Sequence, residues 1–169
     1  MTALDQVCER LDRHHIKYAL IGASALAAHG VARSTFDIDL LTTDGRVLDA
    51  AVWQPLFDHV DVRRGDVDDP LAGVVRVTVS GDQPIDVIVG RHQWQSRAVD
   101  RAVPLGGGVP VVLARDLILL KLYAGGSQDR WDIGELLRHA AGSLRAEVDE
   151  DLADLPESMR RQWRELTGQ

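Results

Sequence analysis

Phe36-Asp37-Ile38-Asp39-Leu40-Leu41 decides how the chain is read. Apolar and acidic residues alternate along it, which predicts a β-strand over residues 36–41. Successive strand residues point to opposite faces, so Asp37 and Asp39 share one face while Ile38 and Leu40 turn toward a core. Two carboxylates roughly 7 Å apart on one face repel each other unless a cation lies between them. Working backward, Tyr18-Ala19-Leu20-Ile21 reads as a buried strand that ends at Gly22. Ser24 to His29 follows as a short Ala-rich helix, with Gly30 placed as its C-terminal cap. Gly22-Ala23-Ser24 is therefore a strand-to-helix turn. Gly22 lets an anion approach the backbone, the helix start offers unpaired N–H groups, and the Ser24 hydroxyl can donate a hydrogen bond.

Working forward, Val74–Val79 and Pro84–Val89 are β-rich runs joined by Ser80-Gly81-Asp82-Gln83, which predicts a hairpin. Asp86 sits in the second run, flanked by Ile85, Val87, Ile88 and Val89. A lone acid in such a strand is costly to ionise without a partner. If this strand lies beside the first, Asp37, Asp39 and Asp86 converge. Three convergent carboxylates are hard oxygen ligands suited to Mg²⁺, and two such ions ~3.5–4 Å apart can stabilise both oxygens of a phosphoryl displacement. Taken singly, an Asp-x-Asp pair is an ordinary solvated strand face and a Gly-Ala-Ser turn an ordinary helix start. Their order along one chain, with a third embedded acid, is what points to chemistry.

The 169 residues suit one domain, taken as 1–112 for a mixed α/β core and 113–169 for a helical part. Hydrophobic residues at 45% and charged residues at 27% describe a globular chain. A net charge of −7 argues against coating nucleic acid by bulk charge. The single cysteine, Cys8, excludes an internal disulfide and fits a reducing compartment. No signal peptide or membrane-length apolar run is visible, so the expected location is the cytoplasm, with no membrane partner. Residues 3–14 read as an amphipathic helix with Thr2 and Asp5 as its capping box. Gly45–Phe57 reads as helical, interrupted near Pro55. Arg115–Ala124, Arg130–Ala140 and Glu157–Thr167 also carry helical spacing. The predicted fold is α+β: a small mixed sheet flanked by helices, with a helical C-terminal part.

Lys121 interrupts a helix that is apolar nearly all round, so it either snorkels to the surface or meets an anion, whether a triphosphate or an acidic neighbour. Asp129 and Asp132, spaced i, i+3, read from spacing alone as capping acids at the next helix start. Gly106-Gly107-Gly108 precedes extended chain and reads as a flexible turn. The six histidines show no metal-ligand spacing, and Cys8 reads as packed. Arg160, Arg161 and Arg164 around Trp163 could form a small nucleic-acid contact, but they follow a run of acids that includes Asp154, so internal salt bridging or plain solvation is their expected use.

Together these residues resemble the nucleotidyltransferase superfamily, the polymerase-β-like fold. Its pattern is a Gly-Gly/Ser turn, an Asp-x-Asp strand and a later strand with a third acid, matched by Gly22 and Ser24, Asp37 and Asp39, and Asp86. The run from Ala27 to Leu40, with His29-Gly30, Arg33, Thr35, Asp37 and Asp39, is similar to the AbiEii-type toxin-associated subgroup. Lys121–Gly125 and Asp129–Ile133 are similar to that subgroup's later motifs. The resemblance spans about residues 17–137. It implies two Mg²⁺ ions on Asp37, Asp39 and Asp86, with Asp86 also helping to deprotonate the acceptor. It further implies that Gly22, Ser24 and Lys121 hold a nucleoside triphosphate, that Arg33 stands near the phosphates, and that Asp129 or Asp132 completes the site. The implied reaction moves a nucleoside monophosphate to a hydroxyl on a tRNA 3′ end or a partner protein, within a toxin–antitoxin system. Ala23, Gly126 and Gln128 depart from the pattern, and the long toxins' large C-terminal helical domain is missing. Two alternatives stay open: a degenerate binding module or antitoxin, and a small-molecule antibiotic nucleotidyltransferase.

Overall fold

Leu40 and Leu41 are both buried, each in a different hydrophobic core. Their strand therefore has a core on either side, and a computed structural model of the chain shows the fold built around it. The structure describes every residue except 55, 56, 58, 106, 107, 141, 154 and 169.

The first helix, α1 (Ala3–Arg13), starts at the expected capping box: Thr2 N donates to Asp5 Oδ2 at 2.7 Å, and Asp5 N donates to Thr2 Oγ1 at 3.2 Å. After it come β1 (Ala19–Leu20), α2 (Gly22–Ala28), β2 (Ile38–Thr42), β3 (His59–Arg64), β4 (Leu71–Thr78), β5 (Ile85–Gly90) and α3 (Gln93–Asp100). Two short strands, β6 (Val103–Pro104) and β7 (Pro110–Val111), precede the helices α4 (Ala114–Ala124), α5 (Ser127–His139), α6 (Leu144–Leu152) and α7 (Glu157–Thr167). The seven strands form one sheet in the order β3-β4-β5-β2-β1-β7-β6. Pairs β2–β5 and β1–β7 are parallel and the remaining pairs antiparallel, so the sheet is mixed. This is the α+β arrangement expected.

Alternation along the central strands divides the side chains between two layers. Leu40, Val87, Ile85, Val75 and Val77 face α1 and its Val7 and Leu11. Leu41 and Ile88 face the helical layer, where Leu117, Ile118, Leu122, Ile133 and Leu136 are buried. No helix among the described residues is long and apolar enough to cross a membrane.

Two local expectations change. The second strand begins at Ile38 rather than Phe36, because the Thr35 hydroxyl clasps Asp37 and bends the chain there, leaving Phe36 93% exposed. Gly45–Phe57 is not one helix but two 3-10 turns, Gly45–Leu48 and Ala50–Val52. Asp44 and Asp49 each accept from the N–H two residues on (3.0 Å each), closing short turns instead of propagating a helix. Pro55, where an interruption was expected, lies outside the described residues, as do Gly106, Gly107 and Asp154. At the C-terminus Arg160 and Arg164 pair with Glu157 at the surface, Arg161 is exposed, and Trp163 is buried with its Nε1 donating to Asp149.

Candidate active site

The parallel ladder between β2 and β5 sets Asp39 directly opposite Asp86. Both lie on the face that carries Leu41 and Ile88, toward the helical layer. Asp37 precedes β2, and the Thr35 hydroxyl lies 3.1 Å from its Oδ1 and 2.9 Å from its backbone oxygen. Gln83 Nε2 donates to the Thr35 carbonyl at 3.2 Å and steadies that bend.

Arg76 completes the group, and sequence reasoning missed it. It pairs with Asp86 across the β4–β5 hairpin, Nη1 donating to Asp86 Oδ2 at 3.1 Å and Nη2 to Asp37 Oδ2 at 3.4 Å. A hairpin centred on Gly81 places residues 76 and 86 opposite each other, so the signal was available in the turn. Asp86 Oδ1 is buried and has no partner among the described residues. Burial pushes the Asp86 carboxyl upward, with Arg76 opposing. For Asp39, burial and then the charges of Asp37 and Asp86 push the carboxyl up to about 6, against the pull of Lys121 and Arg33.

Gly22 opens α2 at φ +63°, a left-handed conformation that favours glycine, and a Cβ there would overlap Asp39 Oδ2. Gly22 and the Asp39 carboxylate thus lie against each other, with no room for a side chain between them. The Ala23 methyl is buried in the protein, and the half-buried Ser24 hydroxyl makes no hydrogen bond among the described residues.

Lys121 is 7% exposed and meets acidic neighbours. Its Nζ lies 2.5 Å from Asp132 Oδ2 and 3.2 Å from Asp129 Oδ1. Asp132 is fully buried and also accepts from Arg33 Nη1 at 2.8 Å and from Gln128 Nε2 at 3.2 Å. Asp129 does cap α5, accepting from Gly126 N at 3.0 Å, whereas Asp132 is an anion held by three donors. Arg33 therefore reaches the helical part rather than standing free. This second cluster borders the first, since Lys121 and Arg33 both act on Asp39.

Among the described residues no group of three or more His, Cys, Asp or Glu side chains stands ready as a metal cage. A guanidinium lies between two of the acids instead. The chemistry of the donors is still of the kind Mg²⁺ takes: three hard carboxylates, one with an orphaned buried oxygen and one raised by burial and by the charges of the other two. Cys8 is buried, which pushes its thiol up to about 11 and makes it unreactive.

This arrangement of a mixed sheet flanked by helices, with a helical C-terminal part, is that of nucleotidyltransferase folds. The antibiotic-resistance factor ANT(2'')-Ia matches over 98% of this chain and 93% of its own, with a TM-score of 0.57 at 20% identity. A candidate nucleotidyltransferase from Thermotoga maritima matches over 83% of this chain and 97% of its own, with a TM-score of 0.54 at 13% identity. No family model and no curated protein matches the chain. The likeness defines a nucleotidyltransferase-fold protein and does not extend to the AbiEii-type subgroup.

Proposed function

We propose that the chain is a Mg²⁺-dependent nucleotidyltransferase that moves a nucleoside monophosphate from a nucleoside triphosphate to an acceptor hydroxyl. The observation that carries this reading is the register of Asp39 against Asp86, with Asp37 beside them and the positive-φ turn at Gly22 in contact with Asp39. Asp37, Asp39 and Asp86 would hold the metal, which when bound supplies positive charge against the phosphate oxygens. Gly22 and Ser24 offer the triphosphate a close backbone approach and a free hydroxyl. Two of the three Lys121 N–H groups are committed to Asp129 and Asp132, which leaves the third for an anion. Asp86 Oδ1, orphaned and buried, suits acceptance of the hydroxyl proton as the new P–O bond forms and pyrophosphate leaves. The whole chain would act as one domain, with 1–112 carrying the acids and 113–169 carrying Lys121 and Asp132.

The AbiEii-like run supports a tRNA 3′ end or a partner protein as acceptor in a toxin–antitoxin setting, while the likeness to an antibiotic-resistance factor supports a small molecule. Transfer of label from each α-labelled triphosphate to total RNA, to lysate protein or to a small-molecule panel separates these. Asp39→Asn should lower transfer by at least ~100-fold, the scale of losing one charge-stabilising group. A fully active variant overturns the mechanism. One observation favours a second reading, a non-catalytic binding module or antitoxin: Arg76 and Lys121 are already paired with acids of the chain. Calorimetry decides between them, because metal-dependent nucleotide binding is required by the enzyme alone.

A further inference from the structure

Between the sheet and α4 lies a cavity of about 350 Å³. Its walls are Ile21, Leu41, Ile88 and Leu120 with the ring of Tyr123, joined by Pro70 and Leu71. Leu41 and Ile88 are the next same-face residues after Asp39 and Asp86, so the cavity floor continues into the acid cluster about 7 Å along the strands.

One polar group is built into this apolar space. Gln95, 1% exposed, accepts at Oε1 from Arg91 N and His92 N, both at 2.9 Å. Those two backbone donors fix which end of the amide is oxygen. No described residue accepts from its Nε2. The Tyr123 hydroxyl is spent, lying 2.8 Å from His92 Nε2 and donating to Pro70 O at 3.2 Å, which ties Pro70 to α4.

We propose that this cavity binds a small, uncharged, largely apolar molecule with one hydrogen-bond acceptor toward Gln95 Nε2 and a hydroxyl at its other end toward the acid cluster, and that this molecule is the acceptor of the transfer. The last clause rests on the transferase reading. No charged side chain lines the cavity among the described residues, so nothing there matches a polycationic amino sugar. A nucleobase edge presents several donors and acceptors, and a single free donor leaves most of them buried and unpaired. The volume of about 350 Å³ is at the small end for ligand sites and suits one small molecule. In the reaction the acceptor oxygen bonds to the α-phosphorus and its proton passes to Asp86. The bond from that phosphorus to the bridging oxygen breaks, and pyrophosphate leaves with the electron pair.

Prodan, a neutral naphthalene with one carbonyl, is a suitable probe. Without nucleotide or metal, its emission should shift to the blue and saturate on the wild-type chain. Gln95→Glu keeps both backbone bonds and loses the donor, and should weaken binding by about tenfold. Ala124→Trp, at the exposed rim, should weaken it at least as much with the fold intact. Failure to saturate, or unchanged affinity in both variants, overturns the proposal. With α-labelled triphosphate, label on 6-acetyl-2-naphthaleneethanol, which carries a carbonyl at one end and a hydroxyl at the other, supports the acceptor assignment if excess Prodan suppresses it. Label on tobramycin or tRNA that Prodan leaves untouched overturns it. Absence of label anywhere, with Prodan bound as described, fails the transferase reading and leaves the binding site standing.

Discussion

At the scale of single residues, Arg76 decides how the acid cluster behaves. Its guanidinium neutralises part of Asp37 and Asp86, yet it is itself partly solvated, so each ion pair is worth on the order of 0–1 kcal/mol. Arg76→Gln should therefore cost only about 1 kcal/mol of stability. The same substitution removes an internal competitor for the two carboxylates. Charges this close to a partly buried site interact appreciably even at an effective dielectric constant of ~20. Mg²⁺ should bind the variant about three- to tenfold more tightly in a thermal-shift titration. Weaker Mg²⁺ binding would mean that Arg76 supports the metal site rather than competing for it. Lys121 shows the same logic from the other side: it is paired with Asp129 and Asp132 and still opposes the upward shift of the Asp39 carboxyl.

At the scale of elements, α1 ends under strain. His15 has φ 53°, its N–H donates to Asp12 O at 2.9 Å, and Ile16 N donates to Leu11 O at 3.0 Å. This is the left-handed closing turn usually given to glycine. His15→Gly should raise stability by about 0.5–1 kcal/mol in urea unfolding, the relieved strain exceeding the added chain entropy. A loss of stability instead would show that the His15 ring makes contacts that matter. Elements differ in how legible they were. The β2–β5 pair announced itself, because Asp39 and Asp86 each sit within a run of apolar strand formers, where a carboxylate is costly unless it faces a partner. Lys121 and its partners were half legible: Gly125 and Gly126 turn α4 back along α5, but spacing does not say how closely two helices approach. The strand His59–Arg64 escaped notice because its edge position leaves His59, Asp61, Arg63 and Arg64 polar around two valines. Strands of two residues, such as β6 and β7, carry no periodicity at all. The Gln95 cavity was invisible for a further reason: its walls come from five elements far apart in sequence.

For the whole molecule, the balance of shifted carboxylates sets where the fold is most stable. Asp39 is raised to about 6, and Asp86 and Asp116 are raised as well, chiefly by burial. A carboxyl raised in the folded state binds protons more tightly there than in the unfolded chain. Its stabilisation is complete below the unfolded value near 3.8 and is lost as pH climbs through the folded value. Asp5, Asp44 and Glu157 are lowered by hydrogen bonds, so their contribution runs the other way and disappears only in stronger acid. Between these limits, stability should peak near pH 5 rather than at neutrality. Asp39 then favours pH 5 over pH 7.5 by about 1–2 kcal/mol after solvent screening, or roughly 3 °C in Tm for a chain of this size. The net charge of −7 adds general repulsion that also eases in acid. Asp39→Asn separates the two causes, because it removes the local effect and leaves nearly all of the general one. The variant should melt higher than wild type at pH 7.5 and level with it near pH 4. Mg²⁺ should raise the wild-type Tm more at pH 7.5 than at pH 5, since protons and metal compete for the same oxygens. A metal-free Tm that climbs steadily from pH 5 to 7.5 would mean that the three acids do not face one another as described. The site's unfavourable charge at neutral pH would then have to be sought elsewhere.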